Sequence, residues 1–193
     1  MDIKKSIENL ALRRGRAVAK TDPIYDSAKE ARDAESKAGD AKNAKDFDKL
    51  KKECLAAAEA GEKAVKPWQQ EIDDWEAAIK TLEGEIAAEK EKIAQQQKEA
   101  DAVNKAIDEI NADIKAYNDS LILGERDPRA RPLIAKKQIG PKLAAASAGL
   151  AEAEALAKAE RDTLGNQKKW VAKPTDELKE IKGRMSKAKF KGK

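Results

Sequence analysis

Residues 65–121 read VKPWQQEIDDWEAAIKTLEGEIAAEKEKIAQQQKEADAVNKAIDEINADIKAYNDSL, and apolar side chains recur there at alternating steps of three and four. The mean step of about 3.5 residues keeps one helix face towards a partner, as in coiled coils. A helix of these 57 residues would be about 85 Å long. So narrow an apolar seam must be covered by another helix. The two rows are Val65, Ile72, Ile79, Ile86, Ile93, Ala100, Ile107, Ile114 and Leu121, and Trp68, Trp75, Leu82, Glu89, Gln96, Val103, Ile110 and Tyr117.

The same phase returns after Gly140-Pro141, in an alanine-rich stretch that can approach the first arm closely. We therefore predict an all-α fold: an elongated antiparallel helical hairpin, or coiled coil, with small N-terminal helices and a basic C-terminal helix and tail. The predicted coil seam consists of Ile72, Ile79, Ile86, Ile93, Ile107, Ile110, Ile114, Leu143, Leu150 and Leu164.

Each arm carries two polar residues in its apolar rows, with the same seven-residue spacing. They are Glu89 and Gln96 in the first arm, and Glu160 and Gln167 in the second. Buried polar groups need partners and can fix the register of a coil. Folding the chain at the proline- and arginine-rich segment 124–132 would bring the two pairs within about one layer. We therefore predict that these four residues form a polar register layer.

Proline and glycine divide the chain into five segments. We predict short N-terminal helices and a linker over 1–45 and a long helix over 46–123 with a kink near Pro67. A loop or turn follows over 124–140, then a return helix over 141–172 and a basic helix and tail over 173–193. Because its apolar face is mainly alanine, segment 1–45 is expected to be weakly held unless a partner holds it.

The composition argues against most catalytic classes. The chain has 193 residues, no histidine and one cysteine, Cys54, so the commonest general base and metal ligand is absent. Sequence motifs for phosphate loops, dinucleotide sites and zinc proteases are also absent. We expect a non-enzymatic protein without a cofactor or metal. We expect no transmembrane segment or signal peptide, and a location in the cytoplasm or in a particle assembled inside cells.

Charge is distributed unevenly along the chain. Residues 61–120 hold 8 lysines and 15 acidic residues, and residues 168–193 hold 10 basic and 3 acidic residues. Clustered lysines bind phosphate backbones without reading sequence. The candidate phosphate or nucleic-acid contacts are Arg184, Lys187, Lys189, Lys191 and Lys193, although a basic tail can equally serve only solubility.

Trp68 and Trp75 lie one heptad apart at one end of the predicted coil. Either they dock a partner, or they fill a wide layer where further helices join. The basic helix predicted over residues 2–19 can likewise lie on a membrane or pack onto the protein.

The favoured function is a structural or assembly subunit that acts through helix packing with protein partners, most simply as a homo-oligomer. A virion-associated or scaffolding component of a larger complex is the first expectation. The alternatives are a nucleic-acid-associated coiled coil and a membrane-surface or secretion-stalk adaptor. In layout alone, the chain resembles phage scaffolding and virion proteins, secretion-export stalk proteins and filament-forming adaptors.

Overall fold

The computed structural model describes residues 3–191, which contain four α-helices and no strand. The helices are α1 (Ile3–Ala19), α2 (Asp22–Gly39), α3 (Ala44–Asp119) and α4 (Gly140–Lys187). A short 3₁₀ helix spans Gly124–Arg126. The predicted all-α fold is confirmed. Its residues divide into two compact units: unit 1 comprises Met1–Glu83 and Ala155–Lys193, and unit 2 comprises Gly84–Glu154.

In unit 1, α3 and α4 run antiparallel, and a row of ion pairs shows their register. The two residue numbers of each pair add up to 244. As the number on α3 increases, the number on α4 therefore decreases by the same amount. The pairs are Glu62–Lys182 at 2.6 Å, Glu76–Lys168 at 2.7 Å and Glu83–Arg161 at 2.5 Å. In unit 2, Lys90–Glu154 at 2.5 Å follows the same rule.

Helices α1 and α2, in succession, form the third helical segment of unit 1, which is called the α1–α2 segment. It runs parallel to α4, because contacting residue numbers rise together with offsets of 145–149. These contacts are Arg14–Glu160, Tyr25–Trp170, Arg32–Glu177 and Glu35–Arg184. It runs antiparallel to α3, where Arg13 pairs with Asp74 and the Cys54 thiol donates to the Ala31 carbonyl. Unit 1 is thus a helical bundle of three segments, namely α1–α2, α3 and α4.

The break between α1 and α2 is slight. Thr21 keeps right-handed helical backbone angles, and its hydroxyl donates to the Val18 carbonyl. Pro23 ends the continuous hydrogen bonding because it has no N–H, but it fits the first turn of α2.

The α1–α2 segment packs onto α3 and α4 mainly through alanine. Its buried face is Leu10, Ala17, Ile24, Ala28, Ala31 and Ala38, each at most 3% exposed. Small side chains let the helices approach closely, so an apolar face poor in large residues still packs. Helices α1 and α2 are therefore packed within unit 1, whereas segment 1–45 was expected to be weakly held.

Helix α4 is continuous through Pro174, so residues 173–187 are not the separate helix that was predicted. Pro174 cannot donate to the carbonyl of Trp170, four residues earlier. The hydroxyl of Tyr25 donates to that carbonyl instead, at 2.9 Å. One residue on, the Thr175 hydroxyl donates to the Val171 carbonyl at 2.7 Å. Side chains thus satisfy the backbone groups that the proline disturbs. Helix α3 likewise continues through Pro67.

Unit 2 contains the rest of α3, a turn, an extended segment and the start of α4. The turn includes Gly124, whose φ of +54° suits a residue without a Cβ. Residues 130–139 have no regular secondary structure, and α4 begins only at Gly140.

We expect Gly61→Ala to destabilise unit 1, although alanine normally favours a helix by about 0.5–1 kcal/mol over glycine. A Cβ at Gly61 would lie 2.5 Å from Leu178 Cδ1 and 3.0 Å from Ser27 Cβ. Leu178 is fully buried and cannot easily move. The expected loss is about 1–3 kcal/mol of unfolding free energy, measured by urea denaturation.

Gly84→Ala is the matched control on the same helix, because its Cβ would meet nothing within 4 Å. That variant should be stabilised by about 0.5–1 kcal/mol. Equal stabilisation of both variants would contradict the packing of Leu178 over Gly61.

Candidate interaction site

The apolar seam of α3 is buried in unit 1 and only partly covered in unit 2. In unit 1, Ile72 and Ile79 are at most 1% exposed. In unit 2, Val103, Ile110 and Tyr117 are 45%, 46% and 37% exposed. These three heptad-spaced residues are called the open row below. The other predicted seam residues of unit 2 are buried (Ile86, Leu150) or half-buried (Ile93, Ile107, Ile114, Leu143).

The open row lies beside three heptad-spaced asparagines that hold the extended segment. Asn104, Asn111 and Asn118 are called the asparagine ladder, and residues 130–139 the strap. Each amide group bonds twice to one strap residue, donating to its carbonyl and accepting from its N–H. Asn118 binds Arg131 (2.9 and 2.8 Å), Asn111 binds Ile134 (2.8 and 2.7 Å) and Asn104 binds Lys137 (3.2 and 2.8 Å).

The spacing of these contacts follows from the geometry of the two chains. Seven residues of α-helix rise about 10.5 Å. Three residues of extended or polyproline II chain span about 9–10 Å. One asparagine per heptad therefore meets every third strap residue, which is the polyproline II period. The ladder binds only backbone groups of the strap, and most strap side chains remain exposed, although Lys136 forms an ion pair with Asp108 at 2.7 Å.

The strap covers one side of the seam and leaves the other open. Each ladder asparagine follows an open-row residue directly, so it lies about 100° further round the helix. The flank on the opposite side carries small and acidic residues but no basic one. Its members are Glu99, Ala102, Ala106, Glu109, Asp113, Ala116 and Ser120, all exposed. The open row is thus an apolar strip with an acidic border.

Arg129 and Arg131 have local partners. Arg129 forms an ion pair with Asp127 at 2.9 Å, and this guanidinium lowers the pKa of that carboxyl. The Arg131 guanidinium lies 4.7 Å from the centroid of the Tyr117 ring, a cation–π contact.

The two tryptophans proposed for partner docking are buried. Trp68 is 5% exposed and Trp75 is fully buried. The Trp75 indole donates to Glu160 at 3.1 Å, and Arg14 donates to the other oxygen of that carboxylate at 2.6 Å. This arrangement matches the alternative interpretation, in which the tryptophans fill a layer where further helices join. They offer no surface to a partner.

The predicted polar register layer is not formed. Glu160 bonds to Trp75 and Arg14, whereas Glu89 pairs with Lys92 of its own helix. Gln167 is buried, and Gln96 is exposed. To pair, the four residues need facing positions whose numbers add up to 256, which corresponds to a hairpin centred on residue 128. The observed ion pairs add up to 244 and therefore centre the hairpin on residue 122. The difference arises because the strap is extended and not helical.

The basic C-terminal residues are only partly available. Arg184 makes a bidentate contact with Glu35 at 2.8 Å, which raises its pKa. Lys187, Lys189 and Lys191 are exposed. The chain here is held in place, since Phe190 packs on Phe47 with ring centroids 6.0 Å apart and Lys51 donates to the Ala188 carbonyl. Lys193 lies outside the described residues.

Sequence reasoning missed Trp170, which is 63% exposed. A signal was present, because Trp170 falls outside both apolar rows of the return arm. It also missed the asparagine ladder. Asparagine is a poor helix former, and three of them at intervals of seven beside a seam were a usable sign.

Among the described residues, no group of three or more His, Cys, Asp or Glu side chains could hold a metal ion. Within 3–191, no helix is both long and apolar enough to cross a membrane. Burial raises the pKa of the Cys54 thiol, which is characteristic of an unreactive core residue.

The chain is thus an all-α helical protein whose most distinctive surface is the open row beside the strap. Comparison with known proteins finds no matching family, no matching curated protein and no matching solved structure.

We expect Asn111→Ala to loosen the strap without loss of helix. The substitution removes two hydrogen bonds to Ile134, which should make local opening roughly tenfold more frequent. Amide exchange at Ile134 and tryptic cleavage after Lys136 and Lys137 should both accelerate. Asn166→Ala, at an exposed asparagine on α4, is the control. Unchanged exchange at Ile134 would show that other contacts hold the strap.

Proposed function

We propose that this protein is a non-enzymatic assembly subunit that binds another helix along the open row. The observation that carries the proposal is the 37–46% exposure of three large heptad-spaced side chains on a helix whose equivalent seam is buried in unit 1. A heptad-spaced apolar strip beside alanines offers the holes into which side chains of a partner helix insert. The particular role that fits best is a scaffolding or virion-associated component of a larger complex.

Two features support contact at the open row over contact at other seam positions. The asparagine ladder holds the strap on one side of the row, so a partner can reach Val103 and Ile110 without displacing the strap, whereas the Arg131 side chain lies over the Tyr117 ring. The exposed alanines at 102, 106 and 116 also let a partner backbone approach closely. The paired arginines of α1 weaken the membrane-surface alternative, because Arg13 and Arg14 contact Asp74 and Glu160.

We expect Ile110→Asp to release the protein from its complex while leaving the helices intact. Ile110 is 46% exposed, so a carboxylate there is solvated in the free chain but unpaired and buried in an assembled one. The measurement is gradient sedimentation of the chain in extracts of cells that produce it. The wild type should sediment well above its 21.1 kDa monomer mass, and the variant at the monomer position.

Lys105→Asp is the matched control, since Lys105 is exposed on the opposite face of the same helix. It should sediment like the wild type. A wild-type chain that is itself monomeric in extracts would refute the proposal, and unchanged sedimentation of the Ile110 variant would place the contact elsewhere.

Nucleic-acid binding is the second candidate, favoured by the exposed Lys187, Lys189 and Lys191 on a fixed stretch of chain. We expect any such affinity to fall steeply with salt and to be lost when the three lysines are replaced by glutamate. Fluorescence anisotropy with labelled duplex DNA and RNA measures it. Absence of binding at about 50 mM salt would remove this candidate.

A further inference from the structure

We infer that the partner of the open row is a second copy of this chain, which docks through the face of α4 around Trp170. This inference rests on the proposed function and specifies its partner. Trp170 is the most exposed aromatic side chain of the described residues, and aromatic anchors of this kind dominate binding energy at protein interfaces.

The surroundings of Trp170 fix its backbone and leave its ring free. The Trp170 carbonyl accepts the Tyr25 hydroxyl, in place of the N–H that Pro174 lacks. Exposed Lys169 and Lys173 flank the ring on the same helix, and neither forms an ion pair within the described residues. The hydrogen bond with Arg32 lowers the pKa of Glu177, and the charge of Lys173 adds to this effect.

The two surfaces have opposite charges at the same spacing. On α3, Glu109 precedes Ile110 and Asp113 follows three residues later; on α4, Lys169 precedes Trp170 and Lys173 follows three residues later. Both charged pairs are four residues apart and lie on one helix face. Two lysines can therefore meet two carboxylates while Trp170 enters the alanine-lined strip.

Pairing of two open rows along their acidic borders is disfavoured. Each of these borders carries Glu99, Glu109 and Asp113 with no basic residue, so two rows that meet along them would oppose like charges. The complementary arrangement is heterologous, with a different surface contributed by each copy.

Charge reversal tests the pairing with purified full-length chains. One variant carries Glu109→Lys and Asp113→Lys, and a second carries Lys169→Glu and Lys173→Glu. We expect the wild type to self-associate in sedimentation velocity, and each variant alone to associate more than about tenfold more weakly. Mixed together, they should associate again, because the first keeps its Trp170 face and the second keeps its open row, and the two reversed surfaces also have opposite charges.

Two further chains control for folding and for the tryptophan. Trp170→Ala should weaken self-association without loss of helicity, since the ring is exposed, and Lys158→Glu should have no effect. Self-association that survives both Trp170→Ala and the reversal of Lys169 and Lys173 would overturn the inference. So would a wild type that is monomeric when purified; if the chain still sediments as a complex in extracts, the proposed function stands and the partner is another protein.

Discussion

The buried carboxylate of Glu160 connects the three helical segments of unit 1, namely α1–α2, α3 and α4. It lies on α4, accepts the Trp75 indole N–H of α3 and accepts the Arg14 guanidinium of α1. A 4%-exposed carboxylate without these donors would carry a large desolvation cost. Neighbouring helix alignments that do not bring all three groups together are therefore penalised, which fixes the level of α1 against α3 and α4. Apolar packing supplies most of the stability, whereas this polar contact selects the register.

The α1–α2 segment also explains why the apolar seam of α3 is more deeply buried in unit 1 than in unit 2. In unit 1 the apolar seam of α3 faces two neighbours, α4 and the α1–α2 segment. In unit 2 the seam has the strap on one side, so Ile110 remains exposed although it repeats the pattern that buries Trp75 and Leu82. The identity of the residue does not decide its burial. The number of neighbouring chain segments does.

Heptad periodicity was enough to predict the all-α fold and the burial of residues such as Ile72, Ile79 and Leu164. Short N-terminal helices were predicted, but heptad periodicity could not predict their close packing, because Ala28 and Ala31 carry little hydrophobic signal although their small size permits it. Nor could it predict the strap, since an extended segment bound mainly through backbone atoms leaves no side-chain pattern of its own. Trp68 and Trp75 were proposed as docking residues because they are large, aromatic and one heptad apart. Position decides exposure instead: Trp75 lies on the apolar seam and is buried, whereas Trp170 lies off the seam and is exposed.

Three prolines connect local backbone chemistry to the candidate interaction surface. Residues before proline avoid the helical conformation, and Asp127, which precedes Pro128, has φ −67° and ψ 134°. Pro132 extends the same restriction to Arg131, and Pro141 suits the first turn of a helix, where α4 begins. The restrictions at Asp127 and Arg131 stop α3 from continuing into the strap, which is not helical, and the asparagine ladder supplies hydrogen-bond partners to the backbone of three strap residues. An extended strap is thinner than a helix and covers less of α3. The positions of these prolines thus leave the open row uncovered.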